Sequence, residues 1–131
     1  MNFKIDTKEK FATITIQENE INANVADEIS AIFLPYLTQS VKNIILHVES
    51  VKNIDEEAGN NLVKLQQTFY ENNASFVVCC LQKNVENDLE NWELLELMNT
   101  TPTESEAWDI IQMEEIEREL LDSDDVDFAE E

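Results

Sequence analysis

Glycine and proline are scarce in this chain, since 131 residues include one glycine and two prolines. That scarcity excludes the collagen repeat, glycine-rich linkers and the glycine-rich loops that cradle phosphate in Rossmann and P-loop proteins. Long apolar runs are missing too, because no stretch reaches the roughly 18 apolar residues that indicate a membrane-spanning helix. Residues 1–6 lack the apolar core of a signal peptide, so we expect a cytoplasmic protein.

Positive charge is also scarce: 8 Lys and Arg stand against 29 Asp and Glu, for a net charge of −21. Phosphate backbones and anionic membranes repel such a chain, so we expect neither nucleic-acid binding nor direct membrane binding. Residues 1–82 hold 11 acids and 6 bases (net −5), and residues 83–131 hold 18 acids and 2 bases (net −16). The first part is typical of an ordinary domain, and the second resembles an acidic appendage.

The residues of nucleophilic and metal chemistry are few: one histidine and two cysteines. Cys79 and Cys80 are adjacent in an apolar run, lack CxxC spacing and have no histidine near them in the sequence. Neighbouring strand residues point to opposite faces, so we predict two buried structural thiols that are badly placed to bond each other. His47 has no nucleophile pattern around it, and no catalytic triad is predicted. We expect no enzyme activity, no cofactor and no metal site.

Apolar residues make up 43% of the chain, and its length predicts one domain with a substantial core. Alternation over 11–16 predicts a strand that forms a hairpin with a strand at 3–5. Segment 41–48 and the continuous apolar run 76–81 predict two further strands, with a helix over 56–72 between them. This arrangement is a parallel βαβ unit, whose central strand is covered on both faces.

Three more helices are predicted. The first runs over 24–38 from a cap at Asn24, and Pro35 kinks it or ends it early. A short helix follows at 85–91. A long helix over 103–121 begins at Thr103, and its predicted apolar stripe consists of Ala107, Ile110, Met113, Ile116 and Leu120. We therefore place the domain at residues 1–121 and predict a disordered tail at 122–131, which holds six acids and no base.

Three consecutive acids stand where the 56–72 helix begins. Asp55 is predicted to be its N-cap, and Glu56 and Glu57 complement the positive end of the helix dipole. Consecutive residues on a helix lie about 100° apart. The three carboxylates therefore do not converge, which argues against a metal site or an acid–base pair.

The order of elements, with this acidic turn, resembles the STAS-type domain, the fold of bacterial anti-sigma-factor antagonists that also occurs at the cytoplasmic end of sulfate transporters. The resemblance covers residues 1–121. It implies an α/β fold with a single STAS-like domain, a small mixed sheet of four or five strands, and helices packed on one side. The matching segments are Asn43-Ile44-Ile45-Leu46, Asp55-Glu56-Glu57-Ala58, residues 76–81, 85–89 and 94–97, and Glu106-Ala107.

The resemblance further implies a non-enzymatic regulatory module whose partner is an ATP-binding anti-sigma factor that is also a kinase. In that family the kinase phosphorylates a serine in the turn and so ends binding. Here Glu56 and Glu57 replace the hydroxyl residues, with Glu57 at the usual serine position, so we expect no phosphorylation and a permanently anionic turn. The predicted partner-binding residues are Asp55, Glu56, Glu57, Ala58, Gly59, Asn60 and Asn61.

Two alternative functions stay open. Small STAS-type proteins also dock on transporter ATPases, which suggests an accessory subunit of a lipid-transport ABC complex. The acidic C-terminal half suggests instead an interaction or inhibitor protein that acts through its last helix and tail.

Overall fold

The computed structural model describes the backbone of residues 1–130 and the side chains of residues 1–121. The predicted disordered tail at 122–131 lies outside the described side chains, and it stays a prediction. None of the described helices is long and apolar enough to cross a membrane.

The strands are β1 (Phe3–Thr7), β2 (Phe11–Ile16), β3 (Glu20–Ile21), β4 (Asn43–His47), β5 (Asn53–Ile54), β6 (Phe76–Cys79) and β7 (Thr100–Thr101). The helices are α1 (Ala23–Phe33), α2 (Glu56–Glu71), α3 (Lys83–Asn91) and α4 (Glu104–Glu130), with 3₁₀ turns at Leu34–Thr38 and Leu95–Leu97.

Five strands form one mixed sheet in the order β1-β2-β4-β6-β7. β1 and β2 are antiparallel, as the predicted hairpin requires, and the other neighbours are parallel. β4, α2 and β6 form the predicted βαβ unit. β3 and β5 form a separate parallel ladder of two residues each, which the sequence did not predict because so short a segment has no readable alternation.

The sheet is covered on both faces, because β4 and β6 are apolar at almost every position. Ile44 and Leu46 pack with α1, α2 and α3 in the main core, whereas Ile45 and Val77 pack against α4. The predicted α/β fold class is therefore confirmed. One detail differs: helices were expected on one side only, and α4 lies on the opposite side. A continuous apolar strand buries both faces and requires that second layer.

The ends of α1 have local causes. The Asn22 side chain accepts a hydrogen bond from the Val25 amide at 2.9 Å, so the cap is two residues before the predicted cap at Asn24 and the helix begins at Ala23. It ends at Phe33, and a 3₁₀ turn carries the chain through Pro35. Proline lacks the amide hydrogen that would continue an α-helix, so the predicted early end is confirmed.

The packed face of α4 differs from the predicted stripe. Ala107 and Ile111 are fully buried, but Met113, Ile116 and Leu120 are 55–59% exposed. Trp108 adds to the packed face by stacking on Phe11, with ring centroids 4.8 Å apart. The apolar part of β4 and β6 extends only far enough to cover the first turns of α4.

Beyond those turns, hydrogen bonds fix α4 to the sheet. Asn43 is buried; its Nδ2 donates to Glu115 Oε1 at 3.0 Å, and its Oδ1 accepts from the Ser75 amide at 2.9 Å. The Ser75 hydroxyl donates to Glu114 and lies 3.4 Å from the Arg118 guanidinium. These bonds satisfy buried polar groups that would otherwise destabilise the fold. They leave the exposed apolar row of α4 facing away from the sheet.

Candidate partner-binding site

The first turn of α2 has the geometry that the sequence predicted. Asp55 is in an extended backbone conformation, and its Oδ1 accepts a hydrogen bond from the Ala58 amide at 2.7 Å. The Asp55 carbonyl accepts the Gly59 amide at 3.0 Å, which is the first bond of the helix. Asp55 is therefore the N-cap, and it orients the residues that follow.

The seven predicted partner-binding residues divide by exposure into a surface group and a support group. Glu56, Glu57 and Asn60 are exposed, and Asp55 and Asn61 are half-buried. Ala58 and Gly59 are buried. A partner that approaches this turn meets the surface group, while the buried pair positions α2 beneath it.

Gly59 provides the space for a close approach between elements. A Cβ atom at this position would lie 2.9 Å from Leu94 Cδ1 and 3.1 Å from Leu89 Cδ2. Contacts below about 3.0 Å require a neighbour to move. The glycine therefore serves the packing of α2 against α3 and the turn that follows it.

The short β3–β5 ladder places two helix N-termini side by side. Ile21 pairs with Ile54, and the Asp55 amide donates to the Ile21 carbonyl at 3.2 Å. The next residues, Asn22 and Asp55, are the N-caps of α1 and α2. The repeated order of an isoleucine followed by a capping residue is the one signal in the sequence that could have indicated this pairing.

The pairing adds an acid from α1 to the surface of the turn. Asn61 Nδ2 donates to Asp27 Oδ1 at 3.5 Å. Asp27, Glu56 and Glu57 are all exposed, and none of them takes part in an ion pair among the side chains of residues 1–121. The surface is thus anionic, and it is broader than the sequence predicted. Asp27 was missed because it is 28 positions before Asp55 and only tertiary structure brings it close.

The loop before the turn is held in place by hydrogen bonds. The Lys52 amide donates to the Asn19 carbonyl at 2.7 Å, and Gln82 Nε2 donates to the Glu49 carbonyl at 2.7 Å. Asn84 Nδ2 donates to the Lys52 carbonyl. The turn is therefore a fixed surface, and a partner would not need to order it on binding.

A second group of reactive side chains lies at the ends of β4 and β6. Cys79 is buried as predicted, Cys80 is half-buried, and both thiols are free. No histidine is near them in the sequence, but the fold brings one close, and the predicted burial holds for Cys79 and not for Cys80. His47 pairs with Cys79 across the parallel ladder, and Cys80 has a φ of 66°, which interrupts the alternation of a strand.

Comparisons with known proteins agree with this architecture. A family model described as the STAS domain matches residues 2–107. A putative anti-sigma factor antagonist from Thermotoga maritima superposes with a TM-score of 0.69 at 19% identity, over 84% of this chain and 94% of that chain. No curated protein matches the chain in sequence.

Two further solved structures have the same fold. The anti-sigma factor antagonist SpoIIAA, in its unphosphorylated form, gives a TM-score of 0.66 at 17% identity, over 85% of this chain and 96% of that chain. RsbS from Moorella thermoacetica, with a serine replaced by glutamate, gives a TM-score of 0.68 at 16% identity, over 86% of this chain and 96% of that chain. At such low identity these likenesses establish the fold alone.

Proposed function

The chain belongs to the STAS domain family, and from this premise we propose that it is a non-enzymatic regulatory module that binds a protein partner through the first turn of α2. The observation that carries the proposal is the pair of exposed carboxylates, Glu56 and Glu57, on a turn that the Asp55 cap and the preceding loop hold fixed. A fixed charged surface binds with little loss of side-chain and loop freedom.

The electrostatics of the turn define the partner's chemistry. Glu56, Glu57 and Asp27 form an exposed anionic surface, which complements a basic patch. Opposite charges across an interface accelerate encounter and disfavour wrong partners. The partner is an ATP-binding anti-sigma factor or a related kinase-like regulator of the bacterial cytoplasm, as in the antagonists that this chain resembles.

The serine phospho-switch of those antagonists is absent from this turn. Residues 53–61 contain no Ser, Thr or Tyr, so no hydroxyl is present to accept a phosphoryl group. Glu56 and Glu57 place carboxylate groups on the turn without any modification. We expect the partner-bound and free fractions from native cells to have the same phosphate content by intact-mass measurement. A phosphate confined to the free fraction would contradict this.

Affinity capture from the native cytoplasm tests the assignment of the turn. The comparison uses wild type, Glu56→Lys/Glu57→Lys, and the control Glu71→Lys/Glu90→Lys, which makes the same charge change at exposed positions elsewhere. Asp55 is unchanged, so α2 keeps its cap. We expect wild type and the control to capture an ATP-binding regulator and the turn variant to lose it. Retention by the turn variant, or equal loss by both variants, would contradict the proposal.

The same capture distinguishes the transporter alternative. If wild type brings down a transport ATPase with its permease, the turn assignment can hold while the partner is an ABC complex. An anti-sigma regulator without permease favours the antagonist role.

A second candidate function rests on the outer face of α4. Met113, Ile116 and Leu120 are more than half exposed, and the neighbouring Glu117 and Glu119 are exposed too. An apolar row between acids is suited to a basic amphipathic helix. The variant Met113→Ser/Ile116→Ser/Leu120→Ser would then lose the partner that the turn variant keeps.

A further inference from the structure

Three side chains that bind soft metal ions meet on the α4 side of the sheet. His47 ends β4, Cys79 ends β6 beside it in the ladder, and Cys80 follows directly. One ring nitrogen of His47 and the Sγ atoms of Cys79 and Cys80 all lie within 4.8 Å of one another. The sequence does not predict this cluster, because His47 and the cysteines are more than 30 positions apart.

The spacing suits a single tetrahedral ion. Ligands at about 2.0–2.3 Å from Zn²⁺ lie roughly 3.8 Å apart, so the three atoms need to close by only about 1 Å. The left-handed backbone of Cys80, with a φ of 66°, is what allows two adjacent thiols to face one position. A non-glycine residue in this conformation is uncommon, and such residues concentrate at functional sites.

The carboxylates around the cluster favour a bound cation. The negative charge of Glu104 acts on both Cys79 and Cys80, whereas burial raises the pKa of both thiols, so that an ion must displace their protons in order to bind. Glu49 Oε2 lies 3.9 Å from His47 Nε2. A divalent ion displaces the thiol protons on binding and compensates the carboxylates.

His47 also has a polar atom that the protein does not satisfy. Among the side chains of residues 1–121, its Nδ1 is buried and without a hydrogen-bond partner. An unsatisfied buried polar atom costs free energy, and a bond from this nitrogen to a metal ion would supply the missing partner. The His47 side chain is 19% exposed and Cys80 is half-buried, so an ion can enter from solvent.

We propose that His47, Cys79 and Cys80 bind one zinc ion. The two thiols lose their protons to solvent as the two Zn–S bonds form, and the imidazole ligates as the neutral ring. Three protein ligands leave a fourth position, which water or one of the nearby carboxylates completes. This proposal does not depend on the proposed partner-binding function.

Cobalt titration of the full chain tests the site. The protein is stripped with a chelator, kept reduced with a phosphine, and titrated with Co²⁺ and then Zn²⁺. We expect one Co²⁺ per chain, a thiolate-to-cobalt charge-transfer band, visible bands typical of tetrahedral cobalt, and loss of these bands as Zn²⁺ displaces Co²⁺. Glu71→Gln/Glu90→Gln removes surface carboxylates elsewhere and is expected to leave all of this unchanged.

Two variants assign the ligands. Cys80→Ser and His47→Gln are each expected to weaken Co²⁺ binding at least about 10-fold, because even residues that only support ligands contribute that much. Cys80→Ser should also lower the charge-transfer band. Both positions are half-buried, so these substitutions disturb the fold less than substitution of the fully buried Cys79 would. Far-UV circular dichroism checks that the variants fold. The proposal is overturned if wild type lacks the charge-transfer band, or if both variants bind as wild type does.

Discussion

Asp55 determines where α2 begins, because its carboxylate accepts the Ala58 amide at 2.7 Å. Asp55→Ala leaves that amide without its partner and is expected to lower the free energy of unfolding by about 1 kcal/mol. Asp55→Asn keeps an oxygen acceptor and should lower the free energy of unfolding by only a few tenths of a kcal/mol. Urea denaturation of the two variants beside wild type measures the difference. An equal loss in both would mean that charge, and not capping, is what Asp55 contributes.

Gly59 leaves space for neighbouring side chains and is not needed for its backbone conformation, because that conformation is an ordinary helical one. Gly59→Ala gains about 1 kcal/mol of helix propensity, and the flexible end of Leu94 can move away from the new Cβ. We expect a net change within about 1 kcal/mol. Gly59→Val adds two methyl groups beyond that Cβ, against Leu94 and Leu89, and should lower the free energy of unfolding by about 2 kcal/mol. Equal stability of the two variants in urea would show that α3 does not pack as closely as described.

The two faces of α4 make different contributions to stability. Ile111 is fully buried against the sheet, whereas Ile116 is 55% exposed. Ile111→Ala is expected to lower the free energy of unfolding by about 2–4 kcal/mol, and Ile116→Ala by no more than about 0.5 kcal/mol. Because the same substitution is made twice in one helix, helix propensity cancels in the comparison. If Ile116→Ala lowered the free energy of unfolding more than Ile111→Ala, the predicted stripe that contains Ile116 would be the packed face of α4.

That stripe illustrates what periodicity can and cannot predict. The long helix and its beginning at Thr103 follow from local pattern, and the Thr103 hydroxyl does accept the Glu106 amide at 3.2 Å. Two apolar rows exist on α4, however. Which row packs depends on where the apolar residues of β4 and β6 end, and that is a property of the assembled sheet.

The residues of the candidate sites also divide into those that a local sequence pattern predicts and those that it does not. Asp55 and its turn were predictable because a cap is defined by four consecutive residues. Asp27 beside that turn, and His47 beside Cys79, arise from strand pairing between distant segments. Register across a parallel sheet has no local signature when the strands are apolar throughout. Four strands of the five-stranded sheet were predicted from local pattern, whereas β7 and the position of α4 were not.

At the scale of the whole molecule, charge is the dominant feature. A net charge of −21 on 131 residues repels itself, and self-repulsion opposes the compact state. Among the side chains of residues 1–121, the ion pairs that could offset it are few and mostly exposed. Exposed pairs contribute about 0–1 kcal/mol each, so repulsion outweighs them.

Salt should therefore stabilise the fold and weaken partner binding. The Debye length falls from about 30 Å at 0.01 M to about 8 Å at 0.15 M, which screens repulsion across the whole domain. We expect the free energy of unfolding to rise with NaCl over that range. The rise should be smaller for Glu71→Lys/Glu90→Lys, whose net charge is −21 + 4 = −17. A fold that salt destabilises would mean that local ion pairs outweigh the net charge.

Capture of a basic partner by the α2 turn should fall over the same range of NaCl concentration, since screening removes the attraction between opposite charges. Partner capture insensitive to salt would mean that the anionic turn is not the binding surface.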